Sequence, residues 1–496
     1  MIASGPRLGR EGRQIARPAG VLHLGLGNFH RAHQAVYTAA AVAAEGGDWG
    51  IVGVASRSRS IADAMRAQDL RYTVAEISPQ GMSLSTPDVH TDVFVAGDEP
   101  ERVVSHLADP AIRVVTLTVT ENGYSYSPST GHLDVDDPAI TADLRGGRPS
   151  TTIGQLARGI QRRAADGAPL TVLSCDNLAS NGAHTERLVR EFLAALPERE
   201  SREALAFLDQ AVAFPSSMVD RIVPATTAQL RHDVAARLGA WDEVPVPAEP
   251  FTMWAIEDRF AAGRPAWEVG GAVFTDEVGR YEDLKVRLLN GTHSLIAYLG
   301  ALRGLDTIAE AIADPEIEVA ARAVLRREYG PSITAPSGVD LDAYEEQLFE
   351  RWSNSALGHR TAQVGTDGSV KLRQRIPAPA VLALEGGTVP HLIALTVAAY
   401  LACLAPMPHF DPGSQAHAMK DGARARLAAV AADARGAREV ARRAIGDLHL
   451  FGGELAEHDE FIERVGELLH TITEHGAAAA IRDAVAASEQ IKETSR

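Results

Sequence analysis

Lysine, cysteine and long apolar runs are all scarce in this sequence of 496 residues. No apolar run approaches the roughly 20 residues that a membrane-spanning helix needs, which argues against a membrane protein. The two isolated cysteines, Cys175 and Cys403, make neither a disulfide framework nor a Cys-x-x-Cys metal site, and they fit a reducing cytoplasm. The N-terminus has no apolar segment behind its arginines, so we expect no secretory signal. These shortages predict a cytoplasmic protein without a metal centre.

Basic charge is also in deficit, because 65 Asp and Glu residues face 48 Lys and Arg residues and leave a formal net charge of −17. A surface this acidic argues against nucleic acid or an anionic membrane as the main partner. We therefore expect a small molecule as the partner. For the chain itself we expect a monomer or a weak oligomer.

Short apolar runs alternate with helical patterns in the first half of the chain. The runs that predict strands are Gly20–Gly27, Trp49–Ala55, Ile112–Thr120 and Leu170–Cys175. Strands that alternate with helices predict crossover units and a mostly parallel sheet. From about Lys285 onward, helical stretches follow one another with few strand signals. The sequence therefore predicts an α/β, Rossmann-type dinucleotide-binding domain over residues 1–284 and a mostly α-helical substrate and catalytic domain over residues 285–496.

The first predicted strand runs into a glycine turn, "LHLGLGNFHRAH", that opens the first helix. In a dinucleotide-binding fold the first glycine permits the tight turn, and the second lets the pyrophosphate approach backbone N–H groups. His30 stands where the usual fingerprint has a third glycine, so strand and helix must pack differently. Arg31 could add a cation for phosphate. The candidate cofactor-binding residues of this turn are Gly25, Gly27, Asn28, Phe29 and Arg31.

The turn after the second strand reads "ASRSRS", where NAD-binding folds usually carry Asp or Glu for the adenosine ribose. Arg57 or Arg59 could bind a 2′-phosphate, which favours NADP, or could stack on the adenine. A solvated turn explains the same residues equally well. The expected cofactor is therefore NAD, with NADP left open.

Only four of the 48 basic residues are lysine, at positions 285, 371, 420 and 492. Lysine and arginine side chains serve equally well as solvated charges, but only lysine is readily neutralised by burial. Lys285 lies in "EDLKVRLLNGTHS". At 100° per residue, Glu282, Asn290 and His293 fall within roughly 140° of arc from this lysine, on one side of a helix. Gly291 could end that helix.

These residue types suit the oxidation of a secondary alcohol to a ketone, in which hydride leaves carbon and a proton leaves oxygen. A lysine amine can accept the proton if burial lowers its pKa from about 10.4 toward the working pH. The Asn290 amide can donate to the developing oxyanion, and His293 can bind a substrate hydroxyl or hold the lysine. Glu282, one turn earlier, could pass the proton to solvent. A lone helical lysine or histidine is more often structural. It is the presence of all four polar residues together that favours a catalytic role.

A second pair of amides lies in "LTVLSCDNLASNG", where another predicted strand ends. Polar residues at the carboxyl end of a parallel strand lie where such folds bind ligands, which makes Asn177 and Asn181 candidates. An Asx turn followed by a helix cap would use the same residues.

Six pieces in order resemble the polyol-specific long-chain dehydrogenase/reductase family, which includes mannitol 2-dehydrogenase and fructuronate reductase. The pieces run from about Val21 to about Arg375 and read "GLGNFHRAH", "TVTENGY", "SCDNLASNG", "FPSSMVDRIVP", "KVRLLNGTH" and "DGSVKLRQR". The spacing of Lys285, Asn290 and His293 matches the family's active-site signature. The resemblance implies metal-independent, NAD(P)-dependent hydride transfer with the lysine as general acid/base.

The resemblance also implies roles for residues outside that signature. Asn290, together with Asn181 or Asn177, would form the oxyanion site, and Asn181 is the preferred candidate. Val219 would lie near the nicotinamide and Asp220 near the substrate. His293 would contact the substrate.

The substrate is expected to be a polyol or its ketose, with D-mannitol and D-fructose as the leading pair. Lys371 matches a polyol-contacting lysine of the family, whereas Gln363 stands where some mannitol dehydrogenases carry arginine. A fructuronate (D-mannonate) reductase and a D-arabinitol dehydrogenase are the alternatives, and Arg360, Arg373 or Arg375 could bind a hexonate carboxylate. A non-catalytic nucleotide sensor would be expected to lack the base. Zinc-dependent oxidation ranks last, because neither cysteine has a ligand-spaced partner.

Overall fold

The computed structural model describes residues 6–9, 17–127 and 130–494. The chain divides into two compact units, Met1–Gly279 and Arg280–Arg496, and this division falls a few residues before the predicted boundary. Within the described ranges, no helix is both long enough and apolar enough to cross a membrane.

The first unit is built on a parallel sheet. Its strands are β1 (Ala19–Leu24), β2 (Gly50–Ala55), β3 (Val74–Ser78), β4 (Gly81–Ser85), β5 (His90–Val95), β6 (Val114–Leu117), β7 (Leu170–Ser174), β8 (Val212–Ala213), β9 (Ser217–Asp220), β10 (Val246–Ala248), β11 (Met253–Ile256) and β12 (Val273–Phe274). Six of them form the main sheet in the order β5-β2-β1-β6-β7-β8, with every neighbouring pair parallel. This order, with the first strand central and a crossover to its other side, is that of dinucleotide-binding folds. The predicted Rossmann-type α/β domain is therefore confirmed.

Helices cover both faces of the main sheet, and its central strands are apolar for that reason. Every residue of β2, β6 and β7 is buried, as expected for parallel strands between two helical layers. Because side chains alternate along a strand, Leu22 of β1 packs into one hydrophobic core and Val21 into the other. The helices of this unit are Asn28–Ala32, Gln34–Glu45, Arg59–Ala67, Pro100–Ala108, Pro138–Leu144, Thr152–Arg163, Asn181–Ala194, Glu198–Ala211 and Ala228–Leu238. Two smaller sheets, β10-β3-β4 and β12-β11-β9, complete it.

The second unit is helical, and no strand occurs among its described residues, which confirms the predicted helical domain. Its centre is the helix His391–Leu404, in which every residue after the first is buried. Such an apolar sequence on all sides suits a helix surrounded by others. The helical segments from the start of this unit are Val278–Asp283, Leu284–Gly291, Thr292–Leu302, Ile308–Ile312, Pro315–Val324, Leu325–Tyr329, Leu341–Trp352, Thr361–Gly365, Gly368–Arg375, Pro377–Glu385, His391–Leu404, Ser414–Ala418, Arg424–Asp433, Ala437–Arg442, Arg443–Asp447, Asp459–His475 and Ala477–Thr494.

Candidate active site

The glycine turn follows directly on β1, at the carboxyl end of the main sheet. Gly25 has a φ of +114°, and a Cβ there would lie 2.3 Å from the carbonyl oxygen of Thr118, so only glycine fits. Around Gly27 there is open space, because a Cβ there would meet only the Gly25 carbonyl, at 3.6 Å. Backbone can therefore be approached closely at this turn, and the residues present fit a dinucleotide phosphate group.

Arg31, a predicted phosphate contact, is buried and bonded within the turn itself. Its guanidinium donates to the carbonyl oxygens of Gly27 (3.3 Å) and Val244 (2.5 Å). It also donates to Oδ1 of Asn28 (2.6 Å), and the Asn28 amide donates to Oγ1 of Thr226 (3.3 Å). Burial lowers the pKa of Arg31 to about 10. Arg31 and Asn28 thus brace the turn, and their contact with the cofactor stays a prediction.

His30, in place of the third glycine, joins the helix to the sheet through an aromatic stack. Its ring lies 3.4 Å from that of His23 on β1, measured between centroids, and its Nε2 lies 3.1 Å from Nε2 of His90 on β5. All three imidazoles are buried. Burial lowers the pKa of His23 to about 3, and burial and the two neighbouring histidines hold that of His30 well below its usual range. Phe29 stacks separately, on His33 at 5.0 Å.

Acid is expected to destabilise the protein through this histidine stack. In the unfolded chain a histidine binds a proton below about pH 6.5, whereas folded His23 does so only near pH 3. The free energy of unfolding should therefore fall as the pH drops from about 6.5 toward 3. The slope should reach up to about 1.4 kcal/mol per pH unit for each such histidine. Urea unfolding between pH 7.5 and 4.5 measures it.

The variant His30→Asn removes one of these titrating groups and should flatten the pH dependence of unfolding. The matched control is His232→Asn, because His232 is an exposed histidine of the same unit. Equal slopes in the wild type and His30→Asn would show that the stack does not set the acid sensitivity.

The turn after β2 carries two exposed arginines, of which one is paired. Arg59 pairs with Asp98, with Nη2 and Oδ1 2.6 Å apart, whereas exposed Arg57 has no hydrogen bond or ion pair within the described part of the chain. From Gly50 to Ala62 the sequence contains no acidic residue. The carboxylate that would bind ribose hydroxyls is therefore missing from this turn.

The loop after β7 brings the two candidate asparagines into different environments. Asn181 is fully buried, and its Oδ1 accepts the N–H of Ser217 at 3.0 Å. Its Nδ2 donates to the carbonyl oxygens of Ser217 (2.8 Å) and Asp176 (3.3 Å), so both amide hydrogens are engaged. Asn177 is exposed. A substrate oxygen beside Asn181 would compete with two backbone carbonyls, and which asparagine serves the oxyanion stays a prediction.

Val219 and Asp220 are both buried on β9. This strand pairs antiparallel with β11, and Asp220 lies opposite Met253. Because the Asn181 side chain binds both the N–H and the carbonyl oxygen of Ser217, it fixes the start of the strand that carries these residues.

In the second unit the lysines differ sharply in exposure. Lys285 is buried, with 9% of its surface exposed, whereas Lys371 is half-buried and Lys420 exposed. Nζ of Lys371 donates to the carbonyl oxygens of Thr366 (2.7 Å) and Val364 (3.2 Å). Lys285 is therefore not an ordinary solvated cation, and lysine is the basic residue whose charge responds most to burial.

Lys285 and Asn290 lie in a π-helical segment, Leu284–Gly291, that continues into the α-helix Thr292–Leu302. Gly291, which could have ended the helix, does not do so, because its φ of −62° and ψ of −55° are helical. An α-helix separates residues five apart by about 140°. A π-helix bonds residue i to residue i+5, which turns two such residues closer to one side. The π turn therefore aligns Lys285 with Asn290.

His293, on the next turn, has a buried Nε2 without a hydrogen-bond partner among the described residues. The ring of His359 packs edge-on against it at 5.2 Å. Burial, followed by the charges of His359, Arg375 and Arg351, holds the pKa of His293 well below its usual range. Burial likewise lowers the pKa of His359 to about 4. His293 is therefore a neutral imidazole, and its unpartnered nitrogen is suited to a substrate hydroxyl.

Of the three arginines predicted to bind a substrate carboxylate, only Arg375 lies at the π turn. Its Nη1 donates to the carbonyl oxygen of Asn290 (3.1 Å) and to Oγ of Ser294 (2.8 Å). Arg360 and Arg373 are exposed, and their substrate contacts stay predictions. Glu282 is half-buried one turn before Lys285.

Arg351 and His359 were both missed in the sequence. Arg351 is buried near the end of the helix Leu341–Trp352, and His359 follows in the next loop. Each reaches His293 through folding of the second unit, and neither lies in a pattern that marks it as functional.

Over residues 6–9, 17–127 and 130–494, no group of three or more His, Cys, Asp or Glu side chains is placed to hold a metal ion. Cys175 and Cys403 are buried free thiols, and burial raises the pKa of both.

Comparison with known proteins matches both parts of the chain to one family. Residues 19–269 match the mannitol dehydrogenase Rossmann domain, and residues 277–473 match the mannitol dehydrogenase C-terminal domain. The chain is 35% identical over 477 residues to the D-mannonate oxidoreductase of Escherichia coli (strain K12). The matched region covers 94% of this chain and 95% of that protein. It is also 35% identical over 392 residues to the polyol:NADP oxidoreductase of Gluconobacter oxydans (strain 621H), with 78% and 80% covered.

The fold agrees with a solved structure of the same family. Pseudomonas fluorescens mannitol 2-dehydrogenase, in a ternary complex with NAD and D-mannitol, matches with a TM-score of 0.84 and 32% identity over 94% of each chain. Family models over most of the chain and relatives above 30% identity along nearly their whole length lead to one conclusion. The chain belongs to the mannitol dehydrogenase family of oxidoreductases, the group that its six sequence pieces resemble.

Proposed function

We propose that this protein interconverts an open-chain polyol and its ketose, D-mannitol and D-fructose above all, with Lys285 as the general acid/base. The observation that carries the proposal is the burial of Lys285 on the same π turn as Asn290. The relative solved with NAD and D-mannitol supports the choice of substrate. The nicotinamide of a bound cofactor supplies the hydride acceptor. The glycine turn of the first unit would hold the phosphate groups of that cofactor.

The residues of the second unit divide the remaining chemistry between them. The Lys285 amine takes the proton from the alcohol oxygen during oxidation and returns it during reduction. The Asn290 amide donates a hydrogen bond to that oxygen as negative charge develops on it. Neutral His293 binds a neighbouring hydroxyl through its unpartnered Nε2. Glu282, one turn before the lysine, passes the proton toward solvent.

A second candidate substrate is a hexonate such as D-mannonate. Apart from the His359 imidazole, the side chains whose charges depress the pKa of His293 belong to Arg375, Arg351 and Lys371. A cationic neighbourhood of this kind favours a substrate that carries a carboxylate. The identity to a D-mannonate oxidoreductase points the same way.

A substrate panel separates the two candidates. Purified protein with a chelator is given C4–C6 polyols or hexonates and NAD⁺ or NADP⁺, and reduced nicotinamide is followed by its absorbance. We expect the highest kcat/KM with D-mannitol. A higher value with D-mannonate would select the second candidate. No turnover on any member of the panel would reject the proposed function.

The sequence alone gives NAD as the expected cofactor, but exposed Arg57 and the absence of an acidic residue from its turn lead us to propose that the protein binds NADP more tightly than NAD. A 2′-phosphate bound by this guanidinium gains a charge-assisted hydrogen bond worth about 1.5–3 kcal/mol, or about tenfold or more in affinity. The relative named as a polyol:NADP oxidoreductase supports this preference. Titration calorimetry with both cofactors should show that Arg57→Ala weakens NADP⁺ binding at least tenfold and leaves NAD⁺ binding within about threefold.

The control for Arg57→Ala is Arg199→Ala, an exposed arginine on the helix Glu198–Ala211. This change should alter neither affinity. A wild type that binds NAD⁺ more tightly, or an Arg57→Ala variant that loses both cofactors equally, would contradict the assignment.

A further inference from the structure

The helix that carries the proton-transfer residues has an unusual backbone that must be held in place. It is α-helical over Val278–Asp283, π-helical over Leu284–Gly291 and α-helical again over Thr292–Leu302. Extended π-helices are rare and give way to α-helix unless their surroundings stabilise them. Conversion to α-helix would turn Lys285 and Asn290 about 140° apart. The contacts around this turn therefore bear directly on the proposed chemistry.

Gly291 makes room for a neighbour at the end of the π turn. Its backbone angles are ordinary helical ones, so no conformational requirement explains the glycine. A Cβ at this position would lie 2.5 Å from Cζ of Tyr329, 2.7 Å from its Oη and 2.8 Å from its Cε2. The ring of Tyr329 thus packs directly on the backbone of Gly291, and any side chain there would displace it.

Tyr329 meets Gly291 with its ring atoms Cζ and Cε2 and with its hydroxyl oxygen. The residue is fully buried, and its hydroxyl has no hydrogen-bond partner among the described residues. It ends a second π-helical segment, Leu325–Tyr329. The preceding carboxylate, Glu328, accepts the N–H groups of Leu392 (2.8 Å) and Ile393 (2.7 Å), where the central helix begins. Tyr329 is therefore anchored to the core of the second unit.

Side chains also hold the carbonyl group of Asn290, just before Gly291. This oxygen accepts hydrogen bonds from Oγ of Ser294 (3.0 Å) and from Nη1 of Arg375 (3.1 Å). The same Nη1 donates to Ser294 at 2.8 Å. The point at which the π turn passes into α-helix is thus fixed from two sides, by these donors and by the Tyr329 ring.

We propose that Gly291 and Tyr329 are positioning residues for the reaction, because the tyrosine ring seated on the glycine holds the π turn that aligns Lys285 with Asn290. This inference rests on the proposed function. It assigns no substrate contact to either residue. Their effect on catalysis passes through Lys285 and Asn290.

The first test is Gly291→Ala, measured as kcat, KM and the Kd of the cofactor. A displacement of about 1 Å at a reacting group can cost about 100-fold in rate, and we expect kcat to fall 10- to 100-fold with cofactor affinity unchanged. The matched control is Gly300→Ala in the same helix, where a Cβ would lie 2.7 Å from that of Ala311. It should lower the melting temperature without the loss of kcat. Equal kcat in the two variants would overturn the proposal.

A second test asks whether the effect passes through the lysine. In the Lys285→Ala background, Gly291→Ala should lower kcat by a clearly smaller factor than in the wild type, because one of the two groups that it positions is already absent. A full 10- to 100-fold further loss would mean that Gly291 acts independently of Lys285, which contradicts the proposal.

The tyrosine side of the contact keeps the proposal testable if Gly291→Ala does not fold. Tyr329→Leu should lower kcat at least 10-fold, and the conservative Tyr329→Phe, which keeps the ring, should restore most of it. The double variant Gly291→Ala/Tyr329→Leu should be more active than Gly291→Ala alone where both fold. A Tyr329→Phe variant as impaired as Tyr329→Leu would overturn the role of the ring. Absence of turnover in the wild type would instead reject the proposed function.

Discussion

Lys285→Ala is expected to lower kcat by about 10³-fold, which is within the range that a positioned general acid/base contributes. The side chain is buried on the π turn that also carries Asn290, so its loss removes the amine proposed to take the proton. Cofactor affinity should be retained, because the glycine turn belongs to the first unit. Steady-state kinetics and a cofactor titration on the same preparation measure both quantities.

Two further lysine variants sharpen this result. Lys285→Arg keeps the positive charge but cannot readily release a proton, so it should stay as inactive as the alanine variant. Lys420→Ala removes an exposed lysine and should leave kcat unchanged. Substantial activity in Lys285→Arg would contradict a general-base role.

Asn290→Ala is expected to lower kcat by about 10²–10³-fold, because loss of one oxyanion donor typically costs this much. The KM for the alcohol should change far less, since the hydrogen bond strengthens as the oxygen becomes charged. Asn290→Asp should be at least as impaired, because a carboxylate would repel the developing oxyanion. Kinetics of both variants with the preferred substrate provide the test.

The comparison for Asn290 is Asn177→Ala together with Asn181→Ala. Asn181 is bonded to the backbone of Ser217 and Asp176, so its loss should lower the melting temperature as well as activity. Asn177 is exposed, and its loss should affect kcat alone if it serves the oxyanion. An Asn290→Ala variant with wild-type kcat would remove this asparagine from the chemistry.

The fold was predictable where the sequence signals are local. Each predicted strand of the main sheet overlaps an observed one, because continuous apolar runs mark strands buried on both faces. The edge strands β5 and β8 and the hairpin strands β3 and β4 were missed. The sequence of β5, "HTDVFV", mixes polar and apolar residues. The short strands β9 to β12 were missed as well. They pair across long stretches of chain, which no local pattern reports.

The candidate site was predictable only as a set of residues along one helix. The 3.6-residue period assumes an α-helix, on which Lys285 and Asn290 lie at opposite edges of a broad arc. The structure has a π turn there instead. No local signal predicts that turn, and Tyr329, which packs against Gly291, lies far along the chain from it. Buried Arg351 reaches the site through tertiary packing, and it too lay beyond the reach of sequence patterns.

The pH dependence of kcat/KM for alcohol oxidation, with a chelator present, tests most directly whether Lys285 accepts the proton. For the wild type, kcat/KM should rise with pH to a plateau through one ionisation. Its apparent pKa should lie between about 6.5 and 10.4, below the ordinary pKa of a lysine. His293 and His359 cannot produce this rise, because burial lowers the pKa of both below 6.5. The residual rate of Lys285→Ala should lack it, and an unchanged rise in that variant would contradict the account.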